Sequence, residues 1–243
     1  MNNIVRREEY KYYIAQSELT HVELALKSLM KLDPSCDNRK GFYTVKSLYF
    51  DTPNSRDLDE KMDGILDREK FRIRTYPNSE NETYRLEKKS KIDSVIEKKS
   101  LSISKKDAIN FQNGRFYSLL SSNNTFANQC YSRFQSDGYR PVIIVEYDRQ
   151  AYELPYCNIR VTIDKNLRTC NGQQNITKKD APSLQVFLDR MAILEIKFEK
   201  YLPTFIQEYL SKFTFKRAAI SKFALAQFHV SDRPWADPLN RPF

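Results

Sequence analysis

Apolar and polar positions alternate with a period of two over several short stretches of this chain, and with a period near 3.6 over others. Residues 6–14 (RREEYKYYI) read as a strand with Arg7, Glu9 and Lys11 on one face. A helix follows from an N-cap at Ser17 to about Lys31, with Leu19, Val22, Leu26 and Leu29 as its apolar stripe. Residues 43–50 (YTVKSLYF) predict a strand leading into a turn region, DTPNSRD. Residues 68–76 and 83–91 predict an antiparallel pair across the polar loop PNSENE, and 94–103 a further strand. Ser104 with Asp107 resembles a capping box for a helix carrying Ile109, Phe116, Leu119 and Leu120. Residues 121–140 are Asn- and Ser-rich, a loop or short helix. Strands are predicted at 141–149, 158–164 and 192–198, with loop signals and a short apolar helix pattern (Leu184, Phe187, Leu188, Met191) between the last two. Helices at about 203–213 and 216–229 close the pattern. With no internal repeat and no Gly/Ser linker, residues 1–230 read as one domain. The remainder, 231–243, is a Pro-containing tail read as extended or disordered.

Charge changes this picture. Arg68, Lys70, Arg72 and Arg74 share one parity on their strand, and Arg85, Glu87, Lys89 and Lys91 share one on the next. Each strand therefore turns a row of charges to one side. Glu195 and Lys197 repeat the pattern inside ILEIKF, opposite Leu194, Ile196 and Phe198. Rows of this kind are ordinary on the solvated face of a sheet. If the strands close into a barrel, they line a cationic cavity that needs a polyanion. The 243 residues carry a formal charge of +9, and 40% are hydrophobic, which indicates a globular protein with an acidic partner. No apolar run is long enough to span a membrane and no signal-peptide pattern opens the chain, so a cytoplasmic location is expected.

Several chemistries are disfavoured by what the chain lacks. Its two histidines, His21 and His229, do not suggest a nucleophile–His system or a His-rich metal site. Cys36, Cys130, Cys157 and Cys170 form no CxxC pair and read as free thiols. With five glycines and no glycine-rich phosphate loop, any phosphate must be held by side chains. The candidate interior set is Lys11, Arg72, Arg74, Lys89, Arg149, Arg160, Lys197 and Lys222, with Glu9, Glu87 and Glu195 among them. Arginine forks and lysine point charges suit a chain of phosphates, and the carboxylates suit a hard divalent cation. Phosphoryl transfer needs mainly positioning and charge neutralisation, with no covalent nucleophile.

An ordered set of short motifs gives these residues a context. R-x-E-x-K-Y (Arg7 to Tyr12), S-L-Y-F-D-T (Ser47 to Thr52), E-K-x-x-G (Glu60 to Gly64), R-I-R (Arg72 to Arg74) and L-E-K-K (Leu86 to Lys89) come first. Y-D-R (Tyr147 to Arg149), R-V-T-I-D (Arg160 to Asp164), L-E-I-K-F (Leu194 to Phe198) and S-K (Ser221, Lys222) follow. Together they resemble the vacuolar transporter chaperone (VTC) domain, the polyphosphate polymerase branch of the triphosphate tunnel metalloenzymes. The resemblance implies an α+β fold, a closed antiparallel β-barrel forming a basic tunnel with helices outside. It implies transfer of the γ-phosphate of ATP to a growing polyphosphate, with Mn2+ or Mg2+ as cofactor. Arg72 and Arg74 would hold nucleotide phosphates, and Lys89, Arg149, Arg160 and Lys222 would line the tunnel. Lys11, Lys197 and Arg7 would bind substrate, with Glu195 as metal ligand and Glu9 and Glu87 as helpers. Arg7 stands where hydrolytic relatives carry a glutamate, which favours polymerase over triphosphatase. Ala219 stands where a basic residue is expected three before Lys222. The chain reads as a free-standing, bacterial version with no phosphate-sensing domain in front. A triphosphatase, a non-catalytic polyphosphate binder and a nucleic-acid binder are the alternatives; no nucleic-acid motif supports the last.

Overall fold

The computed structural model describes residues 8–231 apart from Asn38, 78–81, 93–94, Ser122, Asp180, 188–190, Lys200 and Thr214. Arg7 and the tail beyond Ser231 lie outside the described residues. The strands are β1 (Glu8–Ile14), β2 (Lys31–Leu32), β3 (Tyr43–Asp51), β4 (Arg68–Thr75), β5 (Tyr84–Ile92), β6 (Val95–Ile103), β7 (Arg140–Leu154), β8 (Ile159–Asn171), β9 (Leu184–Gln185) and β10 (Ala192–Phe198). The helices are α1 (Gln16–Leu29), α2 (Arg56–Met62), α3 (Lys105–Gln112), α4 (Thr125–Asp137), α5 (Thr204–Leu210) and α6 (Lys222–Val230). Two compact units share the chain. A terminal unit takes Met1–Tyr43, Tyr147–Leu167 and Gln185–Phe243, and a central unit takes Thr44–Glu146 and Arg168–Leu184.

The protein is a mixed α/β structure with an antiparallel sheet, and the expected closed barrel does not form. Hydrogen-bonded neighbours run β1-β10-β8-β7-β3-β4-β5-β6, with β2 on β7 and β9 on β8, and no pairing joins β1 to β6 among the described residues. The edges explain this. The outer edge of β1 is taken by the segment before α6, through a bridge between Tyr12 and Arg217 and a bond from Ala218 N to Lys11 O. β6 carries Glu97, Lys98 and Lys99, charges of the kind that protect an edge from further pairing.

In the terminal unit, β1 lies on β10 with Lys11 opposite Glu195, and β10 lies on β8 with Lys197 opposite Arg160. The even-numbered face of β1 and β10 is apolar. Ile14, Leu194 and Ile196 are buried there with Leu19, Val22 and Leu26 of α1. Each such side chain contributes roughly 1.5–3 kcal/mol on burial, so the other face is left to the charges. The helix begins two residues earlier than Ser17 suggested: Ala15 is the N-cap and its side chain makes no capping bond. Leu29 falls outside the buried stripe, at 37% exposure.

In the central unit, β3 to β6 pair antiparallel in sequence order. Phe50, Phe71, Ile73 and Leu86 cover one side, packed against Phe111 of α3, Phe134 of α4 and Phe116 between those helices. The Phe134 ring lies 4.7–5.4 Å from the rings of Phe116, Phe71, Phe50 and Tyr139. Ser104 caps α3 by accepting from Asp107 N at 3.0 Å, as the capping box predicts. The buried positions of α3 are Ala108, Phe111 and Gln112, and Leu120 is exposed.

Other elements differ from the sequence pattern. Residues 125–137 form a full helix, because Asn124 caps it through Phe126 N and Ala127 N and Gly138 ends it at φ 68°. The turn region after β3 holds α2, organised by Asp51, whose carboxylate accepts from Thr52 N, Asp57 N and Leu58 N. Leu184 lies in β9 rather than a helix, and Leu188 is outside the described residues. The last helix starts at Lys222, not near 216, since residues 217 and 218 are committed to β1.

Candidate functional site

The charged face of the terminal unit is set by strand parity. Glu9 and Lys11 project from β1, Glu195 and Lys197 from β10, Arg160, Thr162 and Asp164 from β8, and Tyr147 and Arg149 from β7. α6 adds Lys222, at its first turn behind the Ser221 cap. Arg149 grips Asp164 with two bonds, Nε to Oδ1 at 2.6 Å and NH2 to Oδ2 at 2.7 Å. The Lys222 Nζ lies 2.7 Å from Glu195 Oε1 and 2.6 Å from Asp164 Oδ2. Arg149 reaches Glu195 Oε2 at 3.4 Å. Two cations and two carboxylates thus neutralise each other in a buried network: Asp164 is 2% exposed, Glu195 5%, Arg149 8% and Lys222 9%. Tyr147 offers its ring to both cations, 5.2 Å from the Arg149 guanidinium and 5.0 Å from Lys222 Nζ.

The electrostatics follow. Burial alone would raise the Glu195 carboxyl, but Lys222, Lys11, Arg149 and Lys197 outweigh it and hold it well below the carboxylate range. Asp164 is likewise lowered, burial being outweighed by Arg149 and Lys222. Burial pulls the Lys222 ammonium down, while Asp164, Glu195 and Tyr147 push it up and prevail. Around this core, Lys11 donates to Ile220 O at 3.1 Å and lies 3.8 Å from Glu9 and 3.6 Å from Glu195. Lys197 lies 3.5 Å from Glu9 and 3.8 Å from Glu195. Arg160 is engaged differently, with Asp33 Oδ2 at 2.5 Å, Glu153 and the Tyr43 hydroxyl.

The central unit carries its own charged face, opposite its aromatic core. Arg72 donates to Glu87 through Nε at 2.8 Å and lies 2.7 Å away through NH2, while NH1 donates to the Tyr49 hydroxyl at 3.1 Å. Lys98 reaches Glu87 Oε1 at 2.5 Å, and Arg74 Nε lies 3.9 Å from Glu87 Oε2. Burial would raise the Glu87 carboxyl, but Arg72, Arg74 and Lys98 bring it to about 2. Directly opposed residues on this face are often both cationic: Arg74 with Arg85, Lys70 with Lys89, and Lys89 with Lys98. Opposed like charges destabilise a strand pair, and the Glu87 carboxylate, shared by Arg72, Arg74 and Lys98, offsets part of that repulsion.

The motifs that pointed to one family recur over nearly the whole chain. A match to the VTC domain spans residues 6–229. The chain belongs to the VTC domain family. Its chemistry is accordingly related to triphosphate or polyphosphate. Among curated proteins no relative matches this VTC chain. A Bacillus halodurans protein provisionally assigned as an adenylate cyclase shares the fold, with TM-score 0.50, 13% identity and coverage of 89% of this chain and 95% of its own. A Vibrio parahaemolyticus protein with the same provisional assignment aligns at TM-score 0.46 and 10% identity, over 91% of this chain and 97% of its own.

Triphosphate tunnel proteins are generally dependent on a divalent metal. In this VTC domain the expected ligands do not assemble for one: no group of three or more His, Cys, Asp or Glu is arranged to hold a metal ion among the described residues. Glu9 and Glu195 are adjacent on the terminal unit, but the ammonium groups of Lys11 and Lys197 lie between them. Glu87 belongs to the central unit, where its oxygens face Arg72 and Lys98. The donor set does not fit a metal ion.

The structure thus brings Lys11, Arg149, Lys197, Lys222, Glu9 and Glu195 together on one unit, and Arg72, Arg74, Lys89 and Glu87 on the other. Sequence reasoning missed Asp164, Tyr147, Lys98 and Tyr49 as members. Parity was the available signal: Asp164 is four residues after Arg160, on the same side of its strand, and Lys98 faces Lys89 in register. Among the described residues no helix is long and apolar enough to cross a membrane.

Proposed function

We propose that this VTC domain is a polyphosphate polymerase that transfers the γ-phosphate of ATP to a growing polyphosphate. The observation that carries the reading is the like-charged register of β4 to β6 around the Arg72–Glu87 clamp. Cations concentrated in this way suit an anion of several charges, such as a triphosphate or polyphosphate. Arg72 and Arg74 bind phosphate oxygens as forks, Lys89 and Lys98 add point charges, and Glu87 fixes the arginines in place. A guanidinium already oriented loses little freedom when phosphate arrives, which is the main contribution a protein makes to phosphoryl transfer. On the terminal unit Lys11 and Lys197 contact phosphate, and the Arg149–Asp164–Lys222–Glu195 network sets their position. Arg160 binds substrate by exchanging Asp33 for phosphate. Glu9, Glu87 and Glu195 act in this reading as internal counter-charges.

Incubation with ATP and either Mn2+ or Mg2+, followed by gel separation of the products, tests the proposal. Accumulating long phosphate chains are expected. Orthophosphate release with no chains identifies a triphosphatase, and tight polyphosphate binding with no ATP consumption identifies a binding module. Arg72→Ala is expected to abolish turnover, and full activity in that variant would refute the assignment of the β4–β6 face.

A further inference from the structure

The charged face of the central unit is laid out in rows across its strands. Tyr49, Arg72, Glu87 and Ser100 follow one another from β3 to β6, and this row carries its own carboxylate. The neighbouring row is Ser47, Arg74, Arg85 and Ser102. It holds two guanidinium groups and two hydroxyls, with no carboxylate. Ser47 belongs to this face because Leu48 and Phe50, on the flanking and opposite-facing positions of β3, enter the aromatic core. Ser47 Oγ and Arg74 Nε are both buried without a hydrogen-bond partner, and they are the two such side-chain atoms on this face among the described residues. Ser47 is 1% exposed. Arg74 Nε lies 3.9 Å from Glu87 Oε2, beyond hydrogen-bond length. Glu87 is already engaged by Arg72 and Lys98.

We propose that Ser47 is a phosphate-binding residue, its hydroxyl and Arg74 Nε donating together to one oxygen of the bound triphosphate. The assignment rests on the triphosphate reading above and adds a neutral donor to the cations named there. Three considerations support it. Ser47 and Arg74 are directly opposed on one face, where Cβ atoms stand about 4.5–5.5 Å apart, so a single acceptor reaches both. The guanidinium is donor-only, and the hydroxyl has a proton to give; a row of donors without a carboxylate takes its acceptor from a ligand, and an anionic oxygen is the strongest one. A buried donor left unpaired costs the protein its desolvation, and a site that keeps such a cost recovers it when the ligand binds. A hydroxyl also sits beside a guanidinium without the repulsion that a lysine would bring, so it fixes the position of an oxygen where further positive charge would loosen the strands.

Calorimetric titration with inorganic tripolyphosphate, which needs no turnover, tests the proposal together with thermal melts of the ligand-free protein. Ser47→Ala is expected to weaken tripolyphosphate binding about tenfold or more, the worth of a hydrogen bond to a charged group. The same substitution removes an unpaired buried hydroxyl, so the ligand-free melting temperature is expected to hold or to rise by about 2–4 °C. Ser47→Cys, close in shape but a weak donor, is expected to match Ser47→Ala in affinity. In an Arg74→Lys background, which lacks the Nε donor, Ser47→Ala is expected to cost less than about threefold, because the two donors share one oxygen. A lowered melting temperature with unchanged affinity assigns the hydroxyl a structural role and overturns the proposal. A full tenfold loss on top of Arg74→Lys overturns the shared oxygen. Wild-type protein that binds no tripolyphosphate overturns the triphosphate reading along with this one, whereas tight wild-type binding that Ser47→Ala leaves unchanged removes the role of Ser47 alone.

Discussion

Replacing Lys222 with methionine preserves most of the side chain's length and removes the ammonium from the buried charge network of the terminal unit. That ammonium lies 2.7 Å from Glu195 and 2.6 Å from Asp164. Asp164 keeps its two bonds from Arg149. The loss therefore falls on Glu195, whose remaining partners are Arg149 at 3.4 Å, Lys11 at 3.6 Å and Lys197 at 3.8 Å. Removing one partner of a buried ion pair costs about 3–5 kcal/mol, and the three remaining cations set the expectation at the lower end, ~3 kcal/mol. Against a total stability of roughly 5–15 kcal/mol this is a large share. Urea denaturation followed by circular dichroism at pH 7 and pH 5 measures it. The Glu195 carboxyl is held below its ordinary value despite burial, chiefly by Lys222. In the wild type its contribution is therefore present above the unfolded value, about 4, and lost as pH falls through the folded one. Without Lys222, burial gains the upper hand and the folded pKa rises. The deficit of the variant should then narrow from pH 7 to pH 5. A deficit below about 1 kcal/mol at pH 7 would refute the network as a buried ion pair. A deficit equal at the two pH values would assign it to packing instead of charge. Adding Glu195→Gln should recover part of the loss, an interaction of about 0.5–3 kcal/mol.

Asp57 is buried beside Asp51, and burial followed by the Asp51 charge pushes its carboxyl up to about 7. Because the folded value exceeds the unfolded one, wild-type stability falls as pH rises from about 4 to about 7; thermal melts of Asp57→Asn should show a flatter profile across that window, and an unchanged slope would count against the buried pair. Glu87→Gln removes a carboxylate that repels phosphate and also frees Arg72 and Arg74, so steady-state kinetics should show a lower KM for ATP together with a kcat reduced about tenfold. Unchanged values of both would exclude Glu87 as the residue that orients the arginines. Gly172→Ala would bring a Cβ within 2.6 Å of Val142 C and 2.8 Å of Ile143 N, both backbone atoms that cannot step aside. A loss of about 1–3 kcal/mol is expected in the denaturant midpoint, and a neutral effect would mean that the β7–β8 contact yields.

Much of the site was legible because strand alternation is a local property. Glu195 and Lys197 could be assigned to one face, and Leu194 and Ile196 to the other, from the residues alone. Arg72 and Glu87 are opposed in register, a pairing that parity alone does not fix. The order of the motifs was enough to identify the family. Capping chemistry was equally local where the side chain made the bond, as at Ser104, and misled where it did not, as at Ser17. The helix at 125–137 was hidden because its polar sequence shows little periodicity, and Asn124 with Gly138 were its only strong signals.

The amino-acid sequence alone determined which side chains share a strand face, the cationic excess on those faces and the family to which they belong. Tertiary structure decided what those faces meet. Closure of a sheet depends on hydrogen-bond partners at its two edges, and those partners are distant in sequence: β1 is met by residues 217 and 218, not by β6. Lys222 was among the candidate interior cations, but which carboxylates it meets was fixed only by folding, which brings it within 2.7 Å of Glu195, 27 residues away. Its burial, and the conversion of expected metal ligands into counter-charges, come from proximity in space, which periodicity along the chain does not encode.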